Sequence, residues 1–305
     1  MRLGIDLGGT KTEIIVLDES GKEIYRKRVN TDSGSYEGIT STIAGLIHES
    51  ETVLGQTGKI GIGIPGTISS KTGCVKNANT NALNGHPLDL DLSCILNREV
   101  RVMNDANCLA LSEAVDGAGA GYRVVFAAIL GTGCGAGIAI DGKPWAGPNL
   151  VAGEWGHNPL PWMKPEEYPG PECWCGQSSC IEKWISGKGF EEDYVRMTPG
   201  LNLEKCPGLT GEQVVSMARQ GDSFARLTLE RYADRLARSL AHIINILDPD
   251  IIVLGGGMSN VSELYEMVPK KLSSYVFGGE AETKLVRSKH GDSSGVRGAA
   301  WLWPK

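Results

Sequence analysis

Apolar residues open the chain in short runs. Leu3 to Leu7 is one, Glu13 to Leu17 a second, and Lys22 to Val29 a third in which polar and apolar positions alternate. Runs of this length, closed by Gly8-Gly9 and by Asp18-Glu19-Ser20-Gly21, predict three strands joined by tight turns. From Ser35 the period lengthens. Tyr36, Ile39, Ile43, Leu46, Ile47 and Leu54 fall on one face of a helix. Ile60 to Ile64 and Val100 to Met103 predict further strands, and Ala106 to Val115 a helix. The glycine-rich bridge Gly117-Ala118-Gly119-Ala120-Gly121 then reads as a lobe boundary.

The pattern starts again after that bridge. Val124 to Leu130 is an apolar strand, Gly131-Thr132-Gly133 a turn, and Ala136 to Ile140 a returning strand closed at Asp141-Gly142. Setting Gly9-Thr10 on Gly131-Thr132 brings the flanking strands of both hairpins into rough register. Two such hairpins in corresponding places point to a duplicated lobe. Further on, Phe224, Leu227, Tyr232, Leu236, Leu240, Ile243, Ile244 and Leu247 make one long amphipathic helix, stopped by Asp248-Pro249. Ile251 to Leu254 is a buried-type strand running into Gly255-Gly256-Gly257, with a helix expected soon after.

Composition narrows the class. The chain has 305 residues, 41% hydrophobic and 22% charged, which is a globular balance. A net charge of -6 argues against a nucleic-acid or anionic-membrane surface. Asp6 interrupts the start where a signal peptide would need an apolar run, and no run approaches a membrane span. A cytoplasmic protein is expected. Three of the eight cysteines cluster, at Cys173, Cys175 and Cys180.

Several segments carry candidate chemistry. In Asp6-Leu7-Gly8-Gly9-Thr10-Lys11 a glycine turn lets backbone N–H groups approach phosphates. Thr10 adds a donor, Lys11 a cation, and Asp6 a carboxylate able to hold hydrated Mg²⁺. The alternative is an ordinary glycine hairpin. Gly131-Thr132-Gly133-Cys134-Gly135-Ala136-Gly137 is a second such turn, dense enough in glycine to imply a ligand or another backbone close by. Together the two turns would clamp a triphosphate, with Gly255-Gly256-Gly257 at its nucleoside end. Asn104-Asp105 follows a strand; Asp105 reads as a helix cap or as a general base, and on sequence alone the cap is favoured. His157, in Gly153-Glu154-Trp155-Gly156-His157, combines with the three clustered cysteines into a Cys₃His set of the kind structural zinc prefers. Unligated thiols are the competing reading.

These motifs, with Gly63-Ile64-Pro65-Gly66, Cys180-Ile181-Glu182 and the final His290-Gly291-Asp292-Ser293-Ser294-Gly295-Val296-Arg297-Gly298-Ala299-Ala300, run in the order that resembles the ROK family of repressors, open-reading-frame proteins and sugar kinases. The resemblance implies an α/β fold of two ribonuclease H-like lobes, of the actin and hexokinase type, with the active site in the cleft between them. The expected lobes are 1–118 and 119–305, with a zinc loop over 157–180 and a final helix over 293–303 packed back on the N-terminal lobe. It also implies that Asp105 is the base on a sugar 6-hydroxyl, and that Asn104, Glu154, His157 and Glu182 hold other hydroxyls beside Gly66 and Asn79. One ring nitrogen of His157 would bind zinc and the other the sugar.

The family usually has glycine where Ser179 stands, which bears on that turn's geometry. Its repressors carry a DNA-binding domain before the first strand; here that strand begins by Leu3, so a kinase is expected. A non-catalytic sugar sensor is the alternative from a different class. The segments Asn77-Ala78-Asn79-Thr80, 156–163 and 276–280 look most like bacterial fructokinases. They imply ATP-dependent phosphorylation of fructose with mannose second, N-acetylglucosamine and glucose as alternatives, Mg²⁺ and structural zinc as cofactors, and a homodimer.

Overall fold

Three strands, β1 (Arg2–Leu7), β2 (Lys11–Leu17) and β3 (Glu23–Asn30), pair antiparallel in the order they leave the chain. Helix α1 (Tyr36–Leu54) follows, capped at its start by the Ser35 side chain, which accepts from Gly38 N. Next come β4 (Lys59–Ile64), the short pair β5 (Thr67–Ile68) and β6 (Val75–Lys76), α2 (Leu88–Leu96), β7 (Val100–Asn104) and α3 (Asp105–Val115). β4 lies parallel to β1 and β7 parallel to β4, giving the sheet order β3-β2-β1-β4-β7. This is a computed structural model, and it describes residues 1–202 and 208–304.

Alternation along β2 shows why both faces of this sheet are covered. Ile14 and Val16 join a core with Leu3, Ile5, Ile39, Ile43 and Ile47, on the α1 side. Ile15 and Leu17 point the other way, into a core with Cys108 and Leu111 of α3 and with Val296, Ala299 and Trp301. These last three belong to α10 (Ser294–Trp301), the end of the chain. A Cβ on Gly4 or Gly61 would collide with the α10 backbone at Val296 and Ala299, and one on Gly298 with the α3 backbone at Cys108. Glycine at these positions lets the terminal helix lie directly on β1, β4 and α3.

The other elements are β8 (Val124–Leu130), β9 (Cys134–Ile140), β10 (Lys143–Pro144), α4 (Glu182–Ile185), α5 (Gly187–Met197), α6 (Gly211–Gln220), α7 (Ser223–Leu247), β11 (Ile251–Gly255), α8 (Leu264–Met267), α9 (Pro269–Leu272) and β12 (Lys284–Arg287). Their sheet runs β10-β9-β8-β11-β12, and β11 is parallel to both β8 and β12. In both sheets the order is third, second, first, fourth, fifth strand. The repeat read from the two hairpins is thus a repeat of whole sheet topology. The chain forms two compact units: residues 1–121, 137–152 and 289–305 in the first, and 122–136 with 153–288 in the second. After Gly255-Gly256-Gly257 the chain makes a 3-10 turn over Gly257–Asn260 before the short α8. No helix among the described residues is long and apolar enough to cross a membrane.

Candidate active site

In the first unit the carboxyl end of β1 leads into the first glycine turn. Gly8 N donates to Lys11 O at 2.9 Å, and the Thr31 hydroxyl donates to Gly8 O at 2.8 Å, fixing the turn from the β3 side. Gly9, Thr10 and Lys11 are exposed at its tip. Asp6 closes β1. Its carboxyl loses water and faces the negative charges of Asp105 and Glu13, which push its pKa up to about 7 against the opposing pull of Arg28. Gly295, in the first turn of α10, stands beside it: a Cβ there would lie 3.4 Å from Asp6 Oδ2.

Asp105 begins α3 at the end of β7. The capping role expected of it falls to Asn104, whose Oδ1 accepts from Ala106 N at 3.0 Å and Asn107 N at 3.4 Å. Asn104 retains extended backbone while Asp105 is already helical, so the first of the two has the geometry a cap needs. Asp105 Oδ1 accepts from Ala106 N at 2.7 Å. Gly66, at φ +147°, packs on Lys76 O and on Ala78, the neighbour of Asn79. Asn84 pins Ala78 through both its backbone N–H and its carbonyl. Thr80, buried, has no hydrogen-bond partner for its hydroxyl, and a Cβ on Gly9 would lie 3.4 Å from that oxygen. Thr80 was named only within the segment Asn77-Ala78-Asn79-Thr80 and given no role of its own, because a lone threonine in a loop carries no signal.

In the second unit Gly131 N donates to Gly133 O at 3.0 Å, closing the second turn. Gly187 N donates to Gly131 O at 2.7 Å, and Gly256, at φ +78°, packs on the backbone of Leu130 and Gly131. The second and third glycine segments therefore meet. Glu182 joins them, accepting from Cys134 N through Oε2 at 3.0 Å. Other glycines have packing reasons: Gly137 lies on the α3 backbone at Ala106, and Gly156 on the carbonyl of Cys134. Burial pushes the Cys134 thiol well above its ordinary range, so it is an inert core group.

The Cys₃His set converges. One ligand atom from each of His157, Cys173, Cys175 and Cys180 lies within 4.8 Å of all the others. Cys173 Sγ is 3.7 Å from His157 Nδ1, and Cys175 Sγ is 3.6 Å from Cys180 Sγ. Zinc bonded at about 2.3 Å to sulfur and about 2.0 Å to nitrogen would set tetrahedral edges of roughly 3.5–3.8 Å, which these two separations match. With Nδ1 turned to the thiols, Nε2 is the remaining ring position. Ser179 adopts φ +59°, the left-handed backbone a glycine would take there, and its hydroxyl donates to Pro169 O at 2.7 Å. The serine is accommodated in the turn. Glu154 is exposed and precedes the 3-10 turn Trp155–His157.

A glycine turn thus follows the first strand of each of the two repeated sheets, with a carboxylate beside it, Asp6 in the first and Glu182 in the second. The chain belongs to the ROK family, whose model matches residues 2–305. An N-acetyl-D-glucosamine kinase of Pectobacterium carotovorum is 41% identical over 306 residues, covering 99% of this chain and 98% of its own. A ROK hexokinase of Thermus thermophilus matches with TM-score 0.84 at 27% identity, over 98% of this chain and 96% of its own. A ROK glucokinase of Streptomyces griseus, solved with glucose and AMPPNP, matches with TM-score 0.77 at 28% identity, over 99% and 98%. The two-lobed, hexokinase-like α/β fold expected from the sequence is the fold of the protein.

Proposed function

We propose that this protein transfers the γ-phosphoryl group of ATP to the 6-hydroxyl of a hexose, and that the hexose is N-acetylglucosamine. The observation that carries the sugar assignment is the 41% identity to an N-acetyl-D-glucosamine kinase across essentially the whole of both chains. The expectation of fructose rested on three short segments, and similarity spread over 99% of the chain outweighs them. Asp105 takes the proton of the 6-hydroxyl as that oxygen attacks the γ-phosphorus and the bond to the ADP oxygen breaks. The N–H groups of the two glycine turns cradle the phosphates, with Lys11 adding positive charge. Mg²⁺, when bound, neutralises charge on the phosphates, and Asp6 is the carboxylate placed to hold its water shell. Asn104, Glu154, His157 and Glu182 accept or donate to the other sugar hydroxyls, near Gly66 and Asn79. Zinc on Cys173, Cys175, Cys180 and His157 is structural, because a Cys₃His set leaves no open position.

The test is an ADP-release assay over N-acetylglucosamine, glucose, mannose and fructose. The expected result is the highest kcat/KM for N-acetylglucosamine. A higher value for fructose overturns the sugar assignment and leaves hexose phosphorylation standing.

A further inference from the structure

Trp174 stands between two zinc-set cysteines, Cys173 and Cys175, yet it is no ligand and it is 78% exposed. An indole so exposed gains little from burial, so something else must hold it in place. Two contacts do. Its Nε1–H donates to Glu182 Oε1 at 2.9 Å. Its ring meets the His157 imidazole edge to face, with centroids 4.8 Å apart and planes at 89°. The other Glu182 oxygen, Oε2, accepts from Cys134 N at 3.0 Å, at the end of the second glycine turn. The carboxylate is therefore gripped through both oxygens, one from the glycine turn and one from the cysteine loop.

A carboxylate offers about four lone-pair sites. Two N–H donors use one on each oxygen, and the site left on each oxygen lies in the same carboxylate plane, suited to two neighbouring hydroxyls. Without the indole, Glu182 keeps the Cys134 amide as an anchor, about which it can turn. We propose that Trp174 is a positioning residue of the sugar site: its indole N–H fixes the plane of the Glu182 carboxylate, and its ring fixes the His157 imidazole. The inference rests on Glu182 being a sugar ligand.

The experiment compares Trp174→Phe, which keeps a ring beside His157 but loses the N–H, with Glu182→Gln and the wild type. N-acetylglucosamine is titrated calorimetrically without nucleotide, or, should another hexose prove the best substrate, that hexose. Trp174→Phe should raise the sugar Kd and KM about tenfold, the scale of one hydrogen bond to a charged group. The KM for ATP should stay within twofold and the zinc content should be unchanged, which a loop that has merely unfolded would not give. If Trp174→Phe does lose zinc, the indole N–H signals decide in its place. The resonance missing from the Trp174→Phe spectrum must shift in Glu182→Gln, a protein with its cysteine loop untouched. A Trp174→Phe protein that keeps its zinc and binds sugar within twofold of wild type overturns the inference, as does an unmoved resonance. Glu182→Gln with wild-type sugar affinity removes the underlying ligand assignment as well, so the two failures are distinguishable.

Discussion

The negative charge of Asp105 acts on Asp6: together with loss of water around the Asp6 carboxyl, the larger cause, it holds that group near pKa 7. An ordinary aspartate would be ionised far below that. The pair thus stores a proton close to the place assigned to phosphate and its cation, and the charge of a bound cation would favour releasing it.

That relationship has a consequence for stability. A carboxyl that binds its proton more tightly in the folded chain favours folding while protonated. The contribution is complete below the unfolded value near 3.8 and is lost as pH rises through about 7. In magnesium-free buffer without nucleotide, the urea midpoint should therefore fall between pH 5 and 8. Asp6→Asn should flatten that part of the profile. An equally steep fall in the mutant would mean another group is responsible.

Asp105→Asn keeps the shape of the side chain, and the α3 cap on Asn104 is untouched. Turnover should drop by roughly 10²–10⁴, the usual contribution of a general base. Sugar affinity should stay within a few-fold. Near-wild-type kcat in this variant would remove Asp105 from the chemistry.

How far the sequence reveals this site depends on the kind of contact. The helical spacing from Tyr36 to Leu54 is a local signal, and α1 follows it. The long α7 does too, because its apolar face recurs over seven turns. β12 was missed: four residues at a sheet edge, Lys284, Leu285, Val286 and Arg287, polar at both ends and apolar between, are too few to show a period. The cap at Asn104 was misjudged because Asn and Asp are equally good caps, and only backbone geometry chooses between neighbours. The glycine density of 131–137 advertised close approach by a ligand or a backbone; at Gly137 it is the backbone of α3, and which of the two applies is a tertiary matter that spacing cannot show. Trp174 likewise becomes meaningful only when an irregular loop brings it to Glu182, eight residues on.

The cysteine loop makes a direct analytical prediction. Protein purified without chelator should carry about one zinc per chain, since one Cys₃His set binds one ion. Cys175→Ser should lose it and weaken sugar binding, because His157 would no longer be held through Nδ1. Metal analysis and calorimetry check both. Wild-type protein that is active and zinc-free would rule the site out.

Between His157 and Cys173 the chain is also tied down by buried charge. Glu167 accepts from Arg235 and Arg238 of α7, each at 2.8 Å, and Arg238 donates as well to the carbonyls of Pro161 and Trp162 at 3.0 and 2.9 Å. Arg235 pairs in turn with Asp193 of α5 at 2.8 Å. Burial alone would raise the Glu167 pKa, but hydrogen bonds from Arg238, the Lys164 amide and Arg235 outweigh it and hold the group at about 2. Here the sign is opposite to that at Asp6. The stabilisation is present above the unfolded value near 4.5 and is lost as pH falls through about 2. Arg238→Met leaves Glu167 with one arginine fewer and frees two carbonyls, so it should cost about 3–5 kcal/mol, the usual result of breaking a buried pair. Arg238→Met with Glu167→Gln should recover part of that loss, because no buried carboxylate is then left short of a partner. Denaturation in urea at pH 7 reads both variants. If the double variant is no more stable than the single one, the cost arises from the freed carbonyls of Pro161 and Trp162 rather than from the stranded charge.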